Sequence, residues 1–306
     1  MIAVLGPGGV GGFVAAALGR AGVPVTVVAH EPTAALIARE GIAVRSVRLG
    51  DFTVPVEAVS EVGEPVGTLL VATKAAGLAG SLERVRAQPG LVVPLLNGLD
   101  HMALLRERFP GRVAAGSIRI ESDRPAPGQV VQTSPFLRID LASADPALRP
   151  GLEALAETLT GAEIPARVLD SEADVLWHKL VRLNALACTT SAWDRLLGDI
   201  RDEPERRAAL EACIREAVEV ARAEGASVPF DSVLGELEAA HATLGSSMQR
   251  DIAAGREPEL DAIPGAVLRA AARHGLACPT IARLTLAIAE RADVEPPAAA
   301  REQAPV

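Results

Sequence analysis

The chain has 306 residues, 49% of them apolar, which is long enough for two domains of ordinary size with substantial cores. Its formal net charge of −9 argues against nucleic acid or an anionic membrane surface as the main partner. The three cysteines lack metal-ligand spacing and tyrosine is absent, so the sequence predicts no metal site and excludes enzymes whose proton donor is a tyrosine.

The first thirty-one residues have the pattern strand, glycine-rich turn, helix and second strand. The apolar run 2–5 leads into the turn, a helix-forming segment follows from Phe13, and residues 25–29 form the second apolar run. This order is typical of a dinucleotide-binding unit, in which glycines permit a tight turn, close approach of a pyrophosphate and close helix packing. A turn with only a structural role is the alternative. The residues predicted to hold the pyrophosphate are Gly6, Gly8, Gly9, Val10 and Gly11.

Alternating helix and strand patterns continue to about residue 169. The predicted helices are 34–39, 79–86, 101–108 and 147–159, and the predicted strands are 42–45, 52–56, 68–73, 91–96 and 164–169, with a strand-like stretch over 113–141. Lys74 and Asn97 each follow a buried strand. Ligands of such sheets bind beyond the carboxyl ends of the strands, so we expect both residues near the glycine turn.

The pattern changes near residue 170 and predicts a purely helical second domain. Ser171 and Asp174 have the spacing of a capping box, and four helical segments follow, at 172–190, 204–224, about 231–254 and about 264–291, the last with a break allowed at Pro279. The predicted fold is therefore α/β, a Rossmann-type doubly wound sheet over 1–169 followed by an all-helical domain over 170–292. A Pro- and Ala-rich tail over 293–306 is predicted to be disordered.

Lysine occurs only at Lys74 and Lys179 in a chain otherwise rich in arginine. A lysine can release a proton near neutral pH when desolvated, whereas an arginine cannot, so Lys179 is a candidate acid if it faces the interdomain cleft. The alternative is a surface lysine whose stem covers apolar neighbours. Ser247, and Glu259 twelve residues later, form a second candidate for functional residues. The alternative for the acidic residues is a solvated helix start.

An ordered set of motifs resembles the ketopantoate reductase family over the chain to about residue 290. The motifs are Gly6-Pro-Gly-Gly-Val-Gly11, Thr73-Lys74, Leu96-Asn97-Gly98, Leu176-Trp-His-Lys179-Leu, Ser246-Ser-Met-x-x-Asp251, Glu259-Leu-Asp261 and His274-Gly-Leu-Ala-Cys-Pro279. The resemblance implies reduction of a 2-oxo acid by NADPH at a cleft between a Rossmann domain and a helical domain.

The resemblance also implies a role for individual residues. Lys179 matches the proton donor, and Glu259 matches a carboxylate that contacts the cofactor and helps to order the site. Ser122 matches a small residue near the nicotinamide. Lys74 and Asn97 match cofactor contacts, and Asn97 and Ser247 match substrate contacts.

The sequence departs from the family pattern on the helix of Lys179. Leu183 and Ala187 stand four and eight residues after Lys179, where the family has asparagines. Asn184 is one residue late, about 100° around the helix. Either the helix presents a different substrate pocket, or Asn184 reaches the substrate from the side. The departure leaves open whether ketopantoate or another 2-oxo acid is the substrate.

The cofactor preference depends on the end of the second strand. The family's arginine for the 2′-phosphate of NADP falls at His30. Glu31 lies twenty residues after Gly11, where an acid would bind the 2′-hydroxyl of NAD. NADP is predicted, with NAD as the alternative.

Together these features predict an NAD(P)H-dependent reductase of a small 2-oxo acid. Since the glycine turn begins at residue 6 and leaves no room for a signal peptide, we expect a soluble, cytoplasmic enzyme. We also expect a homodimer, formed through the helical domain. A β-hydroxyacid-type dehydrogenase working oxidatively is one alternative. A non-catalytic dinucleotide-binding redox sensor is the other, favoured by the missing asparagines.

Overall fold

The computed structural model describes residues 1–304. The chain folds into two compact units. The first joins Met1–Leu96 to Asp100–Val175, and the second joins Asn97–Leu99 to the chain from Leu176 onward. The strands are β1 Ile2–Leu5, β2 Val25–Val28, β3 Ile42–Ser46, β4 Phe52–Val54, β5 Glu57–Val59, β6 Thr68–Val71, β7 Leu91–Pro94, β8 Ala115–Arg119, β9 Ser122–Asp123, β10 Gln129–Gln132, β11 Arg138–Ala142 and β12 Ala166–Val168. The helices are α1 Gly9–Arg20, α2 Glu31–Glu40, α3 Leu78–Leu82, α4 His101–Arg108, α5 Arg149–Gly161, α6 Glu172–Trp193, α7 Leu197–Asp202, α8 Pro204–Ala223, α9 Phe230–Ala239, α10 Ser247–Ala253, α11 Ala266–Arg273, α12 Pro279–Ala292 and α13 Ala298–Gln303.

A five-stranded parallel sheet in the order β5-β2-β1-β6-β7 forms the centre of the first unit. Every residue of β1, β2 and β7 is buried, which explains why these strands are apolar in the sequence except for Thr26 of β2. The chain moves outward from β1 to β2 and β5, then returns to the other side of β1 with β6. This reversal between β1 and β6 is the switch point at which doubly wound sheets bind ligands. The predicted Rossmann-type sheet is confirmed.

Helix α1 is packed between two sheets of the first unit. It contacts β1 and β2 of the parallel sheet and also β3 and β10 of a second, four-stranded sheet. Its residues from Gly11 to Leu18 are therefore all buried. A three-stranded sheet of β12, β11 and β8 packs with α5, and the pair Val92 and Val113 joins it to β7.

The second unit is helical, as predicted. Ser171 caps α6, since its Oγ accepts the amide hydrogen of Asp174 at 3.1 Å. The buried stripe of α8 appears at helical spacing in Leu210, Ile214, Ala217 and Ala221. Within residues 170–304 no strand occurs.

The single helix predicted over 231–254 is two helices, α9 and α10, in the structure. The break between them depends on α7, a helix that the sequence pattern does not predict. The amides of Leu197 and Gly198, at the start of α7, donate to the carbonyls of Leu244 and Ala242, both at 2.8 Å. These bonds hold the segment between α9 and α10 in a non-helical conformation. The break near Pro279 is present, because α11 ends at Arg273 and α12 begins at Pro279.

The prediction of a disordered tail is wrong for its described part. Residues 298–303 form α13, in which Ala299 and Ala300 are buried. The side chain of Gln303 accepts from the amide of Cys278 at 3.0 Å and donates to the carbonyl of Leu268 at 2.9 Å. The alanines of α13 are small enough to pack closely against α12. They provide the buried apolar contacts that a disordered segment does not have. Residues 305 and 306 of the predicted tail lie outside the described residues.

All three cysteines are buried free thiols in the second unit. Burial is the main cause that raises the pKa of Cys188 and of Cys278 to about 12, and the nearby Glu216 carboxylate adds to it. Burial also raises the pKa of Cys213 far above its ordinary range. Among the described residues, no helix combines the length and the hydrophobicity that crossing a membrane requires.

Candidate functional site

The glycine turn lies at the switch point of the parallel sheet. Gly6 adopts a φ of 90°, which favours glycine, and its amide donates to the carbonyl of Val28 at 3.0 Å. A Cβ on Gly6 would lie 2.8 Å from Cγ2 of Thr73, in the segment that follows β6. The turn after β1 therefore touches the end of β6, where the fold predicts a ligand.

Packing explains two further glycines of this turn but not Gly8. A Cβ on Gly9 would lie 2.4 Å from the carbonyl oxygen of Ser122, and one on Gly11 would lie 2.2 Å from that of Gly6. Apart from its chain neighbours, a Cβ on Gly8 would come no closer than 4.0 Å to the protein, at the carbonyl oxygen of Ala72, and its φ of −74° suits any residue. The missing side chain of Gly8 is thus required by neither strain nor packing, and it leaves the backbone at the start of α1 open to a ligand.

The start of α1 offers hydrogen-bond donors beside Gly8. The helix has no side-chain cap and no acidic residue in its first turn, so its first amide groups and its dipole suit an anion. The hydroxyl oxygen of Thr73 is buried and has no hydrogen-bond partner among the described residues. These features together fit the pyrophosphate of a dinucleotide.

The structure brings Ser122 to this turn. Its hydroxyl donates to the carbonyl of Gly9 at 2.8 Å, which ties β9 to the start of α1. Lys74 directly follows Thr73 and is exposed at the start of a short 3-10 turn.

His30, Glu31 and Arg84 lie at the carboxyl end of β2. The sequence pattern does not indicate that Arg84 belongs to this group. His30 precedes α2, Glu31 is the first residue of that helix, and both are exposed. Arg84, after α3, places Nη2 2.6 Å from Nδ1 of His30 and donates from Nη1 to the carbonyl of Ser60 at 3.3 Å. No local pattern could have indicated this contact, because the two residues lie 54 positions apart.

In the second unit, Lys179 is half-buried on α6. Leu176 and Leu183, one turn away on either side, are also half-buried and share its face. His178 and Arg182, four residues apart, both lie near Glu236 of α9, at 3.6 and 3.4 Å. The helix surface around Lys179 therefore carries both apolar and charged groups.

Asn97 and Glu259 are brought into direct contact within the second unit. The side-chain amide of Asn97 donates to the Glu259 carboxylate at 3.0 Å, and both residues are half-buried. The next residue, Gly98, has a φ of 85°, and a Cβ there would lie 2.2 Å from the carbonyl oxygen of Ala262. The segment 97–99 is thus packed tightly against the turn that follows Glu259.

Ser247 is held in place by the residue before it. Ser246 is buried and caps α10 by accepting the amide of Gln249 at 3.1 Å, and its Oγ also accepts from the hydroxyl of Thr190 at 2.9 Å. Ser247, the first residue of α10, is half-buried.

Asn184 does not join the other predicted substrate contacts. It is fully buried, its Oδ1 accepts from Sγ of Cys188 at 3.5 Å, and its Nδ2 has no partner among the described residues. Five residues along a helix place it about 140° around α6 from Lys179. Leu183 rather than Asn184 occupies the half-buried face that Lys179 shares.

Two family models match the chain. One, described as ketopantoate reductase PanE/ApbA, matches residues 2–145, and one for the C-terminal part of that reductase matches residues 173–292. The 2-dehydropantoate 2-reductase of Caulobacter vibrioides is 32% identical over 292 residues, which are 91% of this chain and 94% of that protein.

Solved structures are similar over nearly the whole chain. A 2-dehydropantoate 2-reductase from Methylococcus capsulatus is 26% identical with a TM-score of 0.80, covering 92% of this chain and 94% of its own. A D-mandelate dehydrogenase bound to NADH and anilino(oxo)acetate has a TM-score of 0.85 at 20% identity and covers 95% of this chain and 98% of its own, a likeness of fold alone.

Proposed function

Since this chain belongs to the ketopantoate reductase family, we propose that it reduces a 2-oxo acid with NADPH, with ketopantoate as one candidate substrate. The observation that supports it most is Gly8, whose missing side chain neither backbone conformation nor packing explains. An oxidoreductase of this family must bring a dinucleotide close to the backbone, and Gly8 at the switch point permits that approach.

The first unit would hold the cofactor through backbone and hydroxyl groups. The amides at the start of α1 and the hydroxyl of Thr73 would bind the pyrophosphate, and Ser122 would fix the turn through Gly9. When bound, the nicotinamide supplies a hydride to a ketone carbon.

The second unit would supply the proton. As charge develops on the ketone oxygen, the Lys179 ammonium would stabilise it by a hydrogen bond and then give up a proton to it. The same ammonium would attract the substrate carboxylate. Because the side-chain nitrogen of Asn97 donates to Glu259, the Oδ1 atom of Asn97 would be left to accept a hydrogen bond from a substrate hydroxyl. Ser247, at the start of α10, would donate a hydrogen bond to the substrate from its hydroxyl.

Replacement of Lys179 tests this assignment. We expect Lys179→Ala to lower kcat by roughly 10²- to 10⁴-fold, because general acid catalysis acts in the transition state. Lys179→Arg should be nearly as inactive, since an arginine keeps the charge but cannot release a proton near neutral pH. The measurement is the loss of nicotinamide absorbance with a panel of 2-oxo acids, with NADPH and NADH assayed side by side.

Arg182→Lys on the same helix is the matched control. It exchanges the same two residue types beside Glu236 and should leave kcat within about twofold, because either cation can face that carboxylate. Full activity of Lys179→Arg on a substrate of the wild type would remove Lys179 from the mechanism. Turnover of no 2-oxo acid by the wild type would contradict the function itself.

A further inference from the structure

We infer that Arg84 is the residue that selects the cofactor, by binding the 2′-phosphate of a phosphorylated dinucleotide at the carboxyl end of β2. The inference deepens the proposed function and rests on its dinucleotide site. It assigns the selection to a residue from outside the β2-α2 segment, in place of His30 or Glu31 alone.

The guanidinium of Arg84 lies across the carboxyl ends of two neighbouring strands. β2 and β5 are paired in parallel, with Val28 opposite Val59, so the residues that follow them lie at one edge of the sheet. His30 comes after β2 and Ser60 directly after β5. Arg84 contacts both, through Nη2 to His30 Nδ1 at 2.6 Å and through Nη1 to the Ser60 carbonyl at 3.3 Å.

This edge is where a Rossmann unit distinguishes its two cofactors. The ribose of the adenosine lies beyond the second strand, where an acid binds the 2′-hydroxyl of NAD and an arginine accommodates the 2′-phosphate of NADP. A guanidinium is suited to phosphate because its planar fork can donate two hydrogen bonds to it. Each terminal nitrogen of Arg84 carries two hydrogens, and the contacts to His30 and Ser60 engage one on each.

His30 contributes to the same cluster in two ways. Because a guanidinium can only donate, Nδ1 of His30 must accept, and the ring proton of the neutral imidazole then lies on Nε2. His30 therefore orients Arg84 and keeps its own N–H for an anion. Glu31 has a separate explanation, since an acidic residue in the first turn of α2 is stabilised by the helix dipole.

The fold does not require the side chain of Arg84 in order to hold its segment in place. The amide of Val62 donates to the carbonyl of Arg84, and the amide of Arg86 donates to the carbonyl of Val62, both at 2.9 Å. Val85 between them is fully buried. Backbone pairing and one apolar anchor thus fix this stretch, and the Arg84 side chain is available for binding.

Calorimetric titration of the intact protein with 2′,5′-ADP and with 5′-AMP tests the inference without any turnover. We expect wild type to bind 2′,5′-ADP more tightly, and Arg84→Gln to weaken 2′,5′-ADP by roughly 10- to 100-fold while 5′-AMP changes less than about twofold. Arg86→Gln is the matched control, because Arg86 is exposed and pairs with Glu61 at 2.8 Å. It should leave both nucleotides unchanged.

Two results would overturn the inference: unchanged binding of 2′,5′-ADP in a folded Arg84→Gln, or an equal loss for both nucleotides. Parallel titrations with NADPH and NADH separate it from the proposed function. If wild type binds neither dinucleotide, the function and the inference both fail. If wild type binds NADPH and Arg84→Gln keeps the same NADPH-to-NADH ratio, only the role of Arg84 fails.

Discussion

Three glycines of the turn after β1 are glycine for three different physical reasons. Gly6 has a positive φ, Gly11 lies too close to the backbone of Gly6 for any side chain, and Gly8 has room for one. The sequence motif treats all three alike. In the structure, the fold requires glycine at Gly6 and Gly11 but not at Gly8.

Substituting two of these glycines should therefore give opposite phenotypes. Gly8→Val should leave the free energy of unfolding nearly unchanged and abolish binding of NADPH, because the new side chain occupies the path of the pyrophosphate. Gly11→Ala should instead destabilise the protein by several kcal/mol, because its Cβ would meet the carbonyl oxygen of Gly6 at 2.2 Å. Urea denaturation and calorimetry with NADPH measure the two effects. NADPH binding to Gly8→Val with wild-type affinity would mean that no pyrophosphate lies over Gly8.

At this scale, the sequence predicts well what is local. The glycine turn and the cap at Ser171 are recognisable because each depends on a few neighbouring positions. Arg84 could not be predicted, since its contact with His30 spans 54 positions. The position of Asn184 could not be settled either, because helical periodicity gives its angle to Lys179 but not which face the rest of the unit covers.

Among the elements, α12 depends on a carboxylate from another helix. Its N-cap residue Cys278 forms no side-chain cap, and Glu216 of α8 accepts the amides of Thr280 and Ile281 at 2.9 and 3.0 Å. Glu216 thus satisfies two amides that the helix start leaves without partners and places a negative charge at the positive end of the dipole.

Replacing this carboxylate should weaken the second unit measurably. We expect Glu216→Gln to lower the free energy of unfolding by about 1 kcal/mol, because the amide side chain retains one acceptor oxygen and loses the charge. The shift of the urea midpoint at neutral pH measures it. Glu219→Gln, on the exposed side of the same helix, should change the midpoint little. Equal midpoints for the two variants would show that α12 does not depend on Glu216.

The elements that the sequence pattern predicts least well are those set by distant partners. The break between α9 and α10 is held by the amides of α7, and Nη1 of Arg201 donates to three carbonyls at the end of α9. α13 consists of good helix formers, and its contacts with the rest of the chain are made by Gln303 and by buried alanines. In each case the local sequence pattern does not contain the distant groups that the segment contacts in the folded chain.

For the molecule as a whole, we expect three buried thiols to make the stability depend on pH in the alkaline range. Burial raises the pKa of Cys188 and of Cys278 to about 12, and it also raises the pKa of Cys213 well above its usual value. In the unfolded chain a thiol ionises near pH 8.5. Between these values the folded state holds more protons than the unfolded state, so the free energy of unfolding falls as pH rises.

We expect this decline to begin near pH 9, at up to about 1.4 kcal/mol per pH unit for each thiol. Other groups contribute little in that range, because the chain has no tyrosine and only two lysines. Urea midpoints at a series of pH values from neutral upward measure the slope. A variant with Cys213→Ala should have a shallower slope than wild type, and an identical slope would mean that the Cys213 thiol does not contribute.

The grouping of residues 97–99 with the helical unit bears on how this protein could be recombined. These residues lie in the N-terminal part of the chain, yet Asn97 binds Glu259 and Gly98 packs on Ala262. A chimera joined near residue 175 would inherit Asn97 and Glu259 from different parents. A fragment that starts at Leu176 would lack the donor for Glu259 altogether. The parts of the chain before and after residue 175 therefore cannot be exchanged between relatives on their own. A graft of the helical part must also carry the matching segment 97–99 into the N-terminal part.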